Sequence, residues 1–349
     1  MNNIANNLGS TVSRGALIFI SVPLILAWLV VGGCGDNGGS PEEEEVQSWE
    51  SELYSPTLLT RLGETYFLVD CWHNRILYND EIDGDLLNWE VLDGELAGPH
   101  SIDTDGHFYV VDDTGHQQVR VYIRDGDGFA LLQRIGDVGH RPHRVHYDEE
   151  TESFYVIGSR SQTISRLVVA DGGDILELKY TKDLPFLEER YTRSMSIIDG
   201  KMYFISGPGR IHKTRHRDDS YEVVETWTVP SGKHQMNDLF KIDGTYFLTN
   251  TFNWADDDIE PRNTIVQCDD LADLAEGDCI DRRDQLEIKG APYYLSEIDG
   301  RIYVPQAFQY SGIVSFRLDE EGELYDIRTE YDTGPPSDAS LDERFRLSK

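Results

Sequence analysis

The chain has 349 residues, with 64 acidic against 31 basic side chains and a formal net charge of −33. A field of that sign repels a phosphate backbone and excludes nucleic acid as a partner. It reads as a solvated acidic surface, or as one that meets cations or positively charged partners. Only eight of the basic residues are lysines, the first being Lys179.

Residues 1–13 are mostly polar, Arg14 is the one positive charge of the leader, and residues 16–31 are almost wholly apolar. Such a run lies near the lower length limit for a membrane span, so a transmembrane anchor is one reading. The other comes from Val31-Gly32-Gly33-Cys34, which resembles the lipobox of bacterial lipoproteins. The resemblance implies cleavage before Cys34, lipidation of its sulfur, and a protein held at the cell membrane facing the periplasm or the outside. Residues 35–53 then form an acidic, flexible tether.

Six times after the tether a tight turn is followed by aromatic and β-branched residues and then by a polar cluster. Taking Tyr66, Phe108, Phe154, Met202, Tyr246 and Ile302 as equivalent, the steps are 42, 46, 48, 44 and 56 residues. A period of this size with strand chemistry predicts one four-stranded sheet per repeat, hence an all-β, six-bladed β-propeller over residues 54–331 with a C-terminal tail at 332–349. In the second repeat the strands are expected at 100–104, 107–112, 118–123 and 129–135, with Asp125-Gly126-Asp127-Gly128 as a turn. A first strand innermost, joined by a hairpin to the second, puts the start of the first and the end of the second on one face.

Val69-Asp70-Cys71-Trp72-His73-Asn74-Arg75-Ile76-Leu77-Tyr78 resembles the core of an NHL repeat, and residues 111–122 are a looser copy. The resemblance implies a six-bladed fold and leaves the activity open, because such propellers include binding modules and enzymes. Asn74 and Arg75 read as residues that staple blades together. Asp70 and Asp112 read first as caps of the loops that follow them.

The inner-strand starts are polar where aliphatic residues would serve a core. His100, His143, Arg193, Asn237, Asp238 and Tyr293 should converge on the mouth of the channel, with Asp70 and His73 as further candidates. His100 and His143 both follow proline at matching positions and are candidate ligand contacts, and candidate metal ligands if their nitrogens share an ion. Arg193 would then pair with an anionic group of the substrate, and Tyr293 or Asp238 would move a proton. His140 and His146 flank the inner strand and read as exposed. Residues 250–258 read as solvated charge with a loose attraction for Ca²⁺.

Cys268 and Cys279 lie 11 residues apart and are expected to form a disulfide, leaving Cys71 as a buried thiol or a site residue. The favoured function is a membrane-anchored, monomeric binding module that takes a small molecule or a protein at the channel mouth. The alternative is a lyase or hydrolase dependent on a divalent metal, Zn²⁺ or Ca²⁺. An NHL-like amidating lyase holds zinc with histidines from separate blades, and the similar gluconolactonase family places Glu, Asn and Asp around a divalent ion. His100 and His143 match the first pattern in part, and Asn237 and Asp238 the second.

Overall fold

The computed structural model describes residues 49–188, 191–207, 209–230, 235–251, 263–308 and 310–344. The leader, Cys34 and residues 35–48 of the tether lie outside the described residues, as do residues 252–262, which include most of the 250–258 loop. No described helix is long and apolar enough to cross a membrane.

Six antiparallel sheets follow one another along the chain, each with its strands in sequence order. The inner strands are Pro56–Leu62, Ile102–Thr104, Pro142–Asp148, Thr192–Ile198 and Met236–Ile242; that of blade six is split into Ala291–Pro292 and Ser296–Ile298. The outer strands are Glu90–Asp93, Gly128–Ile135, Leu176–Asp183, Glu222–Thr228, Ile280–Asp281 and Leu324–Gly334. Neighbouring inner strands lie against one another around the axis, which is the propeller arrangement.

The repeated turns explain the pairing. Ile198 faces Lys201, Ile242 faces Thr245 and Ile298 faces Arg301 across two-residue Asp-Gly loops. In all three loops both residues have positive φ, as in Asp199 at 49° and Gly200 at 65°. That backbone matches the right-handed twist of the flanking strands, and Asp-Gly adopts it at little cost. Alternation along the second and third strands then sends apolar side chains into the spaces between blades. Phe67, Tyr78, Tyr109 and Phe129 pack together between blades one and two, and Phe247 and Phe316 between blades five and six. The described residues form six such buried apolar clusters, one for each junction of the ring.

Among the described strands none is exchanged to close the ring. Blade six meets blade one through Tyr294 N donating to Thr57 O (3.1 Å), Ser296 Oγ donating to Leu59 O, and an exposed Arg61–Asp299 ion pair. The folded part begins earlier than the tether assignment: Glu52 and Leu53 are buried, and Ser337 and Ser340 of the tail donate to the Glu52 carboxylate. The last strand runs through residue 331 to Gly334, and a short helix at Asp338–Arg344 follows. In blade two the inner strand starts at Ile102, because the amides of His100 and Ser101 bond to the Asp112 side chain instead of a neighbouring strand.

The Cys268–Cys279 disulfide is present, with Cα atoms 4.9 Å apart. Between the two cysteines a short helix, Leu271–Glu276, is capped by the Asp270 side chain and ended by Gly277 at φ 85°.

Candidate functional site at the channel mouth

Five of the six inner strands are irregular at their starts. The pairing register slips by one residue between Pro56 and Leu58, Ile157 and Gly158 (opposite Arg144 and Pro142), Thr192 and Ser194, and Met236 and Asp238. Blade six has the equivalent break between Pro292 and Ser296. The residues left over are Thr57, His143, Arg193 and Asn237, and Tyr293 stands within the break of blade six. A bulge bends the strand and re-aims its side chain, which is how a ladder that should hide these residues turns them toward the axis.

The result is a plug. The His100 and His143 rings lie with centroids 3.7 Å apart, tilted by 40°, and Tyr293 lies nearly parallel to His143 at 6.2 Å. Tyr294, immediately after Tyr293, reaches across the axis. Its hydroxyl meets His143 Nδ1 at 3.0 Å, and its one proton is best placed for Arg193 O at 2.7 Å. A hydroxyl donating to a carbonyl must accept from the imidazole, so His143 carries its proton on Nδ1. His143 Nε2 then accepts from Tyr293 Oη at 3.4 Å. Burial, the neighbouring His100 ring and the Arg193 charge hold His143 well below the usual imidazole range, so it is neutral at pH 7. Burial likewise pushes the Tyr293 and Tyr294 hydroxyls well above theirs.

The other predicted residues divide between the two sides of this plug. Arg193 is half-buried, with Nη1 donating to Gln235 Oε1 at 3.3 Å. Asn237 Nδ2 donates to Pro292 O at 2.7 Å, while its Oδ1 is buried without a described partner. Asp238 points the other way, into a channel cavity of about 330 Å³ lined by inner-strand residues of all six blades. Burial raises its carboxyl, against the opposing effects of Arg144, Ser194 Oγ and Leu295 N. Asp70 and His73 are not brought to this group. Asp70 accepts from Tyr54 N at 2.8 Å and Arg75 Nε at 3.0 Å and lies 2.7 Å from His73 Nδ1; it makes no side-chain bond to the backbone of the turn after it, so it ties that turn to the preceding segment instead of capping it. Asn74 and Arg75 staple neighbouring segments, as through Gly98 N donating to Asn74 Oδ1 at 2.9 Å.

On the loop side of the plug a pocket of about 280 Å³ is lined by Cys71, Trp72, His100, Thr114, His140, Arg141 and Arg160, with small residues between them. Blade three supplies its charge. Arg160 N donates to His140 O at 3.1 Å and Ser159 N to Arg141 O at 2.9 Å, which pairs the two loops and brings both arginines to the wall of one pocket. Both are exposed, and neither forms an ion pair with a described carboxylate. Among the described residues no carboxylate lines the pocket, so its described wall is a cationic spot on a chain of net charge −33.

Sequence reading missed Tyr294, Thr114 and this arginine pair. The available signal was that 140–141 and 159–160 occupy the two loops of blade three on the face already singled out. Among the described residues, no three His, Cys, Asp or Glu are placed to hold a metal ion. All four ring nitrogens of His100 and His143 face other groups: Thr114, Cys71, Tyr294 and Tyr293. The tilted pair thus has a neighbour at each ring nitrogen and no third ligand beside it among the described residues.

No protein-family model matches the chain, so the NHL-like phrase stands as a local similarity, and no curated protein matches it either. Among solved structures it is similar to a proposed 6-phosphogluconolactonase of Bacteroides uniformis, with a TM-score of 0.54 and 12% identity over 78% of this chain and 84% of that one. A second proposed 6-phosphogluconolactonase, from Bacteroides fragilis, gives 0.53 and 14% over 78% and 83%. The periplasmic gluconolactonase of Pseudomonas aeruginosa gives 0.52 and 15% over 80% and 86%. At these identities the likeness is one of fold: the chain is a six-bladed propeller of the same general architecture as these lactonase-type proteins.

Proposed function

We propose that this propeller binds a small anionic ligand in the pocket at its channel mouth. The observation that carries the reading is the couple Arg141 and Arg160, without an ion-pair partner among the described residues, beside a pocket lined by no described carboxylate on a strongly acidic protein. Two guanidiniums with free donors are suited to a carboxylate or phosphate. Trp72 supplies an apolar wall, and the His100 edge an adjustable polar contact. The fold likeness to lactonase-type propellers makes sugar acids and their phosphates the first ligand class to test. The leader and Cys34 support the further reading that the domain is displayed from a membrane by a lipid.

Titration calorimetry with gluconate and 6-phosphogluconate tests the site. The expected result is binding that weakens at least tenfold in Arg141→Gln/Arg160→Gln, because a hydrogen bond to a charged group is worth about 1.5–3 kcal/mol and 1.4 kcal/mol is tenfold. Undiminished affinity in the double variant, or no binding of either anion by the unaltered protein, would refute the proposal.

A further inference from the structure

Cys71 begins the one-turn helix Cys71–His73 that follows the second strand of blade one (Thr65–Asp70). It is 3% exposed, and it lines the mouth pocket together with His100. Its Sγ lies 3.6 Å from His100 Nε2, and His100 Nδ1 lies 3.1 Å from Thr114 Oγ1 and 3.5 Å from Asp112 Oδ2. The direction of these hydrogen bonds can be worked out. Thr114 has one proton and two pure acceptors within reach, Pro142 O at 2.5 Å and Asp112 Oδ2 at 2.9 Å. Its oxygen must therefore accept from His100, which puts the imidazole proton on Nδ1 and leaves the Nε2 lone pair facing the thiol. Asp112 is held in turn by the amides of His100 and Ser101 and by Ser101 Oγ. A nucleophile, a base in the correct tautomer and an oriented carboxylate thus meet at a pocket wall. Gly98, at φ 62°, places no side chain beside the sulfur; even an added Cβ would stand 3.9 Å away.

We propose that Cys71 and His100 are the nucleophile and general base of an acyl-transfer site acting on anionic esters or lactones. Asp112 and Thr114 act as positioning residues. The proposal rests on the mouth pocket's taking anions, since Arg141 and Arg160 are the groups that would hold the charged end of the substrate. His100 Nε2 takes the thiol proton as Cys71 Sγ bonds to the acyl carbon. The C–O bond to the leaving alcohol breaks, and that oxygen leaves with the proton from His100. Water, deprotonated by His100, then attacks the thioester. The C–S bond breaks, the acid departs and the proton returns to sulfur. The net change is one ester and one water giving one acid and one alcohol, with a lactone releasing both as a single hydroxy acid. No metal or redox partner enters the balance.

The test uses the full-length protein with the mono-4-nitrophenyl ester of succinic acid, an activated ester with one free carboxylate. Expected are a burst of one equivalent of 4-nitrophenolate, a succinyl adduct on the Cys71 peptide after acid quench, and at least a 100-fold loss of rate in the isosteric Cys71→Ser. Thr114→Val should lower kcat with KM retained and shift the pH–rate profile, which a purely structural role would not do. Absence of an adduct on Cys71, or an unchanged rate in Cys71→Ser, overturns the inference. Binding of 6-phosphogluconate is measured on the same sample. Binding without acylation removes the thiol chemistry and leaves the anion site standing. Acylation of Cys71 without such binding supports the chemistry and removes the sugar-acid reading.

Discussion

Tyr294→Phe removes a single oxygen from the middle of the propeller and nothing else of the ring. Arg144, whose guanidinium carbon stands 4.1 Å over the ring, keeps that contact with phenylalanine. The lost hydroxyl bridges His143 Nδ1 and the Arg193 carbonyl across the axis, at 3.0 and 2.7 Å. His143 Nδ1, and His143 O at 3.1 Å, then lie buried without that partner, while the Arg193 carbonyl is only half-buried, and each buried group left unpaired costs about 1–3 kcal/mol. We expect a total loss of roughly 2–4 kcal/mol, allowing for partial relaxation of one of the two. Tyr293→Phe is the internal control. Its hydroxyl makes only a 3.4 Å contact to His143 Nε2, so its removal should cost under about 1 kcal/mol. Urea unfolding followed by tryptophan fluorescence reads both, and a shifted midpoint at constant slope identifies a change in stability. If Tyr293→Phe costs as much as Tyr294→Phe, or if Tyr294→Phe costs less than about 0.5 kcal/mol, the cross-axis hydroxyl is not the fastening described.

Two further outcomes follow from the geometry, and a third from the leader sequence. His143 faces His100, Tyr191, Tyr293, Tyr294 and the Arg193 charge, and its folded-state pKa is depressed below 6.5. The unfolded chain therefore takes up a proton that the folded state refuses, and stability is full above about pH 6.5 and falls as pH drops below it, by up to about 1.4 kcal/mol per pH unit. His143→Gln should flatten this stretch of the curve, and parallel curves for the two proteins would refute the assignment. Reduction of Cys268–Cys279, which closes a loop of 11 residues, should cost about 2–3 kcal/mol on loop-entropy grounds and lower the urea midpoint; an unmoved midpoint would show that the bridge does not constrain the unfolded chain. Cys34→Ser should leave an uncleaved precursor or release the protein from membranes, and unchanged mature size and membrane fractionation in that variant would dispose of the lipoprotein reading.

Blade architecture was legible in the sequence because its causes are local. A two-residue Asp-Gly loop sets the register of the hairpin it closes, and alternation along each strand then decides which side chains enter the space between blades. The same locality made the inner-strand starts readable as a set: His143, Arg193, Asn237 and Tyr293 occupy the bulge or break of successive blades, and the sequence shows them as polar residues after a loop. It did not show that they would be buried. Burial is a property of the closed ring, in which six inner strands bring their starts together and bulky rings fill the axis. His143 and Tyr293 therefore became a plug, and Asp238, one residue beyond Asn237, came to face the cavity on its far side. Charge behaved in the same way. Arg141 and Arg160 look like ordinary members of an acidic chain until backbone pairing lays their two loops side by side. Cys71 and His100 are 29 residues apart in different blades, and no spacing rule could join them. Turn chemistry and periodicity act over a few residues and are written in the chain; which side chains meet across the axis depends on closure of the whole ring, and only the tertiary structure decides it.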